Sequence, residues 1–311
     1  HFAAPDFGGG MENQSMTAIG ANVFTTRTPR GSHSLIAHEA AHQWFGDAIS
    51  PYSWADIWLN EGFATYFAEL WRVDRVGPEL LGWRMDALRY TVLNSGVAAP
   101  VSQPVLADMF GANTYEKGGW VLHMLRARMG EEAFWEAVRS YYAAHQYGNA
   151  RTDDLEAAMA AAGAAAAGGV GAEVVDGLGD GVGDGVGGEA ATDEVGGFFD
   201  QWVHRAGNPV LYAAWSQHGD RVAVRLCQGE PAFDLPVVVA VDVEGGAGER
   251  GSAMLTGALA DVEVMVKGGA AGVTVDPDAS LLAEVRVARV ADSRAMACDA
   301  IAAAWQTGGT R

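Results

Sequence analysis

Cysteine is nearly absent: Cys227 and Cys298 are the only two in 311 residues. Two cysteines make no disulfide framework, and no Cys-x-x-Cys pair suggests a zinc ribbon or a redox site. Whether the two pair is left open by the sequence. Positive charge is scarce too, with 20 Lys and Arg against 39 Asp and Glu, a formal net charge of −19. Nucleic acids and anionic membrane surfaces are held through basic patches, so neither is expected as a partner. A long run of large apolar residues is also missing. The longest uncharged low-complexity run, 157–172, is mostly Ala and Gly and too weakly hydrophobic to span a bilayer. No signal-like run follows the opening His1-Phe2-Ala3, which reads as an internal start with an upstream part missing. What remains is 49% apolar residues, enough for two domains with cores.

Against that background the stretch "HEAAH" at 38–42 stands out. Helix positions four apart lie on one face, so His38 and His42 can reach one ion. Glu39 sits beside that face, where a general base for a metal-activated water belongs. A catalytic zinc takes three protein ligands and leaves one position open. "WLNEGFATYF" (58–67) offers the third, Glu61, 19 residues after His42 on the next expected helix. Two antiparallel helices joined by a loop bring that carboxylate to the histidines. Asp47 and Asp56 flank the site, as partners of a ligating histidine or as surface and capping residues.

Coarse periodicity places these motifs. Residues 1–27 read as extended, with no helical period. A helix is expected from Ser32 to about Gly46, a second from near Asn60 to Arg75, and others at roughly 78–94, 115–129, 131–145 and 153–162. The stretch 160–194 has almost no large side chain and reads as a disordered Gly/Ala/Asp-rich insertion. Its "GLGDGVGDGVGGE" (177–189) resembles calcium-binding nonapeptide repeats but is too short and has the wrong period. "FFDQWVHRAG" (198–207) resumes an amphipathic helix. Beyond Asn208 the period becomes two, which predicts a small antiparallel β domain over 208–290, then a short Ala-rich tail at 291–311 whose composition is compatible with a helix.

"HEAAHQWFGD" followed by "WLNEGFATYF" resembles the aminopeptidase N type of zinc aminopeptidase, the membrane alanyl aminopeptidase family of gluzincins. That family's pattern is HExxH, eighteen residues, then Glu. The resemblance implies one zinc ion, His38, His42 and Glu61 as its ligands, and Glu39 as general base. "GGMEN" (9–13) resembles the family's Gly-x-Met-Glu-Asn strand, which makes Gly9, Gly10, Met11, Glu12 and Asn13 substrate-binding residues. An aminopeptidase needs a carboxylate near the metal to anchor a cationic amino terminus, and Glu12 suits that task. The glycines let substrate backbone approach closely. "NTYEKGGWVLHMLR" (113–126) resembles the family's Tyr-x-Lys-Gly stretch, which makes Tyr115 the stabiliser of the tetrahedral intermediate. Lys117 is expected to be structural.

The implied fold is α+β: a mainly helical, thermolysin-like zinc catalytic domain over 1–207, truncated at its N-terminal sheet, then a β-sandwich domain at 208–290. The family carries a large N-terminal β domain, and only eight residues precede Gly9 here, so a fragment is expected. The implied activity is removal of the first residue from peptides with free amino termini. The alternatives are a zinc endopeptidase or related hydrolase, and a truncated non-catalytic module.

Overall fold

The computed structural model describes residues 1–25, 29–170 and 186–308. The chain is mixed helix and sheet and divides into two compact units, His1–Gly207 and Asn208–Arg311. No helix among the described residues is long and apolar enough to cross a membrane.

The first unit begins with three short strands, β1 (Phe2–Ala4), β2 (Gly10–Met11) and β3 (Ala18–Gly20). β3 lies in the middle, parallel to β1 and antiparallel to β2. Then come α1 (Ala21–Thr25), α2 (Pro29–Ala41), β4 (Ile49–Pro51), α3 (Trp58–Val76), α4 (Leu80–Asn94), α5 (Glu116–Met129), α6 (Glu131–His145), β5 (Gly148–Ala150), α7 (Thr152–Val170) and α8 (Val186–Phe199). β4 and β5 pair in parallel. The core is aromatic: Trp58 and Phe63 of α3, Trp120 of α5, Phe134 and Tyr141 of α6, and Phe198 and Phe199 of α8 are all buried. Each such side chain stabilises the fold by about 1.5–3 kcal/mol relative to exposure.

Several polar groups in this core are paired across the unit. The Trp58 indole N–H donates to Thr152 Oγ1 at 3.0 Å. Asp56 accepts from both Thr152 N and Thr152 Oγ1 at 2.9 Å, so the start of α7 is capped from across the unit. Gly130, at φ 83°, ends α5 and starts α6 without a Cβ penalty.

Several expectations need correction. Residues 21–25 are helical, and α2 starts at Pro29 because proline suits a first helical turn. α2 also ends earlier than Gly46: Gln43 N bonds Ala40 O and Trp44 N bonds Ala41 O, tightening the last turn. Gly46, at φ 142°, then turns the chain. The expected disordered insertion is helical at both ends, since α7 runs to Val170 and α8 begins at Val186. Alanine is the best helix former, and α7 and α8 pack on each other with Met159, Ala160, Val195 and Phe198 buried. The centre of that stretch, 171–185, with most of the calcium-like repeat, lies outside the described residues.

The second unit holds β6 (Val210–His218), β7 (Arg221–Gln228), β8 (Leu235–Val243), β9 (Glu249–Leu255), β10 (Leu259–Met265), β11 (Ala270–Val275), β12 (Glu284–Arg289) and α9 (Cys298–Gly308). One sheet has the order β10-β7-β6-β12 and the other β11-β8-β9. Alternation is clean in β8, whose Leu235, Val237, Val239, Val241 and Val243 are buried. The expectation of a purely antiparallel domain is corrected by β12. It follows a strand of the other sheet and returns beside β6 in parallel. The Ala-rich tail is helical over Cys298–Gly308, and 291–308 is tied to the strands. Ser293 is buried and bonded to Ser216 and Ala223, Ile301 packs beside Ala214 and Cys227, and Cys298 is disulfide-bonded to Cys227.

Candidate metal centre

The last turn of α2 and the turn that follows it bring two imidazoles together. His38 Nε2 and His42 Nε2 are 3.1 Å apart, and Glu61 Oε2 is 3.2 Å from each. Glu61 is in the first turn of α3, where its charge favours the positive end of the helix. The His42 ring is fixed by its other nitrogen: Nδ1–H donates to Phe45 O at 3.0 Å, which leaves the Nε2 lone pair facing Glu61. Neither aspartate does this work. Asp47 accepts from Gln43 Nε2 at 2.7 Å, and Asp56 caps α7.

The donor set fits a tetrahedral zinc. Ligands about 2.0–2.1 Å from such an ion lie roughly 3.3 Å from one another, close to the triangle found here. The electrostatics agree. Burial would lower the His42 pKa, but the Glu61 carboxylate against it raises it to about 9. Burial would raise the Glu61 pKa, but the two histidines hold it at about 2. A negative group pressed on two imidazoles attracts a cation, whether a proton or a metal.

Glu39 is buried beside this triangle, and burial raises its pKa to about 7. It reaches that place because residue 10 has no side chain: a Cβ there would lie 2.1 Å from Glu39 Oε1. The strand β2 is therefore laid directly over the general-base candidate. Its register, Gly10 opposite Ile19 and Met11 opposite Ala18, is set by β3. Gly9, at φ 96°, adopts a backbone that favours glycine. Beyond β2, Gln43 Nε2 donates to Glu12 O at 3.0 Å, and Gln14 Nε2 donates to Asp47 O at 3.3 Å. These bonds dock the strand on the end of α2. Ligating atoms of Glu12, Glu39 and His42 all lie within 4.8 Å of one another.

Tyr115 precedes α5 and stacks on His38, with ring centroids 5.8 Å apart. Burial and the Glu61 carboxylate push its pKa up, so the phenol keeps its proton. A cleft of about 870 Å³ collects these groups, lined by Gly9, Gly10, Met11, Glu12, His38, Glu39, His42, Glu61 and Tyr115. Asn13 is not in its wall; it is exposed, and its carbonyl accepts from Met16 N in the following turn. A second groove, of about 930 Å³, is lined by Ala37, Ala40, Ala41 and several aromatics and includes none of the three donors.

Some residues in and beside the cleft carry no signal in the sequence. Gln43, next to His42, docks β2 through Glu12 O, yet a glutamine has no spacing signature. Glu69 and Arg84, paired at 2.6 Å, and Trp54, Phe110 and Glu116 line the wall.

The peptidase family M1 domain matches residues 1–176. The chain belongs to peptidase family M1. This agrees with the resemblance to the aminopeptidase N type drawn from the motifs. Human endoplasmic reticulum aminopeptidase 1 is 38% identical over 175 residues, 51% of this chain and 18% of that protein. Human thyrotropin-releasing hormone-degrading ectoenzyme is 39% identical over 137 residues, 39% of this chain and 12% of that protein. Aminopeptidase M1 of Arabidopsis thaliana is 33% identical over 178 residues, 51% of this chain and 20% of that protein. The M1 chain described here thus spans a fifth or less of the length of these relatives. The crystal structure of Legionella pneumophila aminopeptidase A in complex with aspartic acid superposes with a TM-score of 0.68 over 90% of this chain and 30% of that one. At 15% identity that likeness concerns the fold.

Proposed function

We propose that this chain is a zinc-dependent aminopeptidase that hydrolyses the first peptide bond of substrates with free amino termini. The observation that carries the reading is one cleft holding three things: a His38–His42–Glu61 donor triangle, a buried Glu39, and Glu12 beside both. Residues 1–207 are read as a thermolysin-like catalytic domain and 208–290 as a β-sandwich.

His38, His42 and Glu61 hold the zinc. Bound there, zinc supplies a Lewis acid and lowers the pKa of water. Glu39 takes the proton of the attacking water and returns it to the leaving amine. The Tyr115 hydroxyl donates a hydrogen bond to the oxyanion as the carbonyl carbon becomes tetrahedral. Glu12 binds the substrate's α-ammonium, one residue from the scissile bond, and this makes the enzyme an exopeptidase. Gly9, Gly10 and Met11 present the strand along which the substrate backbone lies, and Asn13 secures the turn that ends it.

The test combines zinc content with turnover of an amino-acyl amide and its acetylated counterpart. Glu39→Gln is expected to retain zinc and lose turnover by on the order of 10²–10⁴. Normal turnover in that variant sinks the assignment. Glu12→Ala is expected to depress cleavage of free-amino substrates most. Equal turnover of acetylated and free substrates by the wild type would favour an endopeptidase, and zinc binding without any turnover a non-catalytic module.

A further inference from the structure

Two helices carry the chemistry that α2 does not. α3 carries Glu61 and α5 follows Tyr115. They meet backbone to backbone at Gly62 and Gly118. A Cβ placed on Gly62 would lie 2.9 Å from the carbonyl carbon and 3.0 Å from the Cα of Gly118. A Cβ placed on Gly118 would lie 2.9 Å from the Cα of Gly62. Both contacts are shorter than packed carbons tolerate, and the opposing atoms are main chain, so relief requires a helix to move. Gly62 is the residue after Glu61, and Gly118 is one helical turn beyond Tyr115. Lys117 pins the same turn, its buried Nζ donating to Gly207 O at 2.8 Å.

The neighbouring glycine differs. A Cβ on Gly119 would sit 3.4 Å from the Thr65 methyl, ordinary contact with a side chain. Two adjacent glycines in one helix thus make opposite demands, and only the first fixes how close the helices come.

We infer that the Gly62–Gly118 crossing is a positioning joint that sets the placement of the Tyr115 hydroxyl against the Glu61 carboxylate. Gly62 and Gly118 are positioning residues and touch no reacting atom. The role of Tyr115 in turnover rests on the function proposed above; the joint itself is a statement about where Tyr115 is held. In helix–helix geometry, an alanine at either position widens the crossing and carries Tyr115 away from Glu61. A displacement of about 1 Å near a reacting centre costs up to roughly 10²-fold in rate.

The full chain, zinc-loaded, is compared as wild type, Gly62→Ala, Gly118→Ala, Gly119→Ala, Tyr115→Phe and Tyr115→Phe/Gly118→Ala. Gly118→Ala and Gly62→Ala are expected to lower kcat by about 10–10²-fold with little change in KM, and Gly119→Ala by less than about twofold. In the Tyr115→Phe background, Gly118→Ala is expected to cost little more, since the two act through one group. Gly118→Ala losing as much there as in the wild type would make its effect merely structural and overturn the joint. A second readout is independent of catalysis. With fluorotyrosine incorporated throughout, the ¹⁹F resonance missing from Tyr115→Phe reports Tyr115. It is expected to shift in Gly62→Ala and Gly118→Ala and to stay in Gly119→Ala; an unshifted resonance in the first two overturns the inference. A shifted resonance together with full turnover by Tyr115→Phe would keep the joint and discard the catalytic role of Tyr115. Failure of both alanine variants to fold would assign the contact to stability alone and likewise overturn the joint.

Discussion

Buried polar groups are used differently in the two units. Among the described residues of the second unit they are Ser216, Gln228, Asp276 and Ser293, and each is hydrogen-bonded within the unit. Gln228 donates to Phe233 O and Gly257 O and accepts from Phe233 N. Asp276 accepts from Ser280 N, Ser280 Oγ and Leu281 N, closing a turn. In the first unit the buried His42 lies within reach of the buried Glu61 and of the buried Glu39, carboxylates that draw a cation toward it. Burial of polar groups alone is therefore no mark of function. The mark is a set whose partners converge on a shared point instead of on the backbone.

That contrast can be broken in order of expected effect. His42→Ala removes one of three donors. If about 10–16 kcal/mol of zinc binding is shared among the three ligands, affinity should fall by on the order of 10²–10⁴. Competition against a chromophoric chelator measures it, and an unchanged affinity would dissolve the distinction. Gln228→Ala should act in the other currency: stability drops by about 2–3 kcal/mol through three stranded backbone groups, with zinc affinity unchanged. Denaturant unfolding and the same chelator assay read both. Gln43→Ala sharpens the comparison inside the first unit. It frees β2 from α2, so KM for free-amino substrates should rise by roughly threefold to tenfold with zinc retained, in line with about 1 kcal/mol for one hydrogen bond.

A last test concerns Lys117, the buried cation of the joint. Burial, then the Arg205 charge, lowers its pKa from 10.5 to about 8. Below pH 8 both folded and unfolded chains carry this proton, and the cost of burying it is fully present. Between about 8 and 10.5 the unfolded chain holds the proton while the folded chain has lost it, so stability rises with pH through that window. The unfolding free energy of the wild type minus that of Lys117→Met should move in favour of the wild type from pH 8 to 10. A flat difference would show that the lysine titrates normally.

Legibility in the sequence follows how local each signal is. His38, His42 and Glu61 sit at fixed offsets on two helices, so spacing alone brought them together. Helix α6 was readable to the residue because Gly130 and the aromatic stripe bound it. What failed was tertiary. The second half of α7 and most of α8 read as disordered because small residues bury little singly, yet the two helices pack on each other. In the second unit the period of two announces strands but not their partners, so the parallel return of β12 beside β6 is invisible in it. The pairing of Cys227 with Cys298 depends on α9 docking, which no period announces. Gly62 and Gly118 lie inside motifs that were recognised, but their contact is a property of two helices and of neither alone.

The Cys227–Cys298 disulfide has a mechanical consequence. It closes a loop with a sequence separation of 71, enclosing β8 to β12. A pull on the C-terminal end peels α9 only as far as Cys298. There the load passes through sulfur to β7, the strand held by β6 on one side and β10 on the other. Such a force meets the hydrogen bonds that β7 makes to both neighbours, and the second unit resists unthreading from that end for as long as the disulfide stays closed.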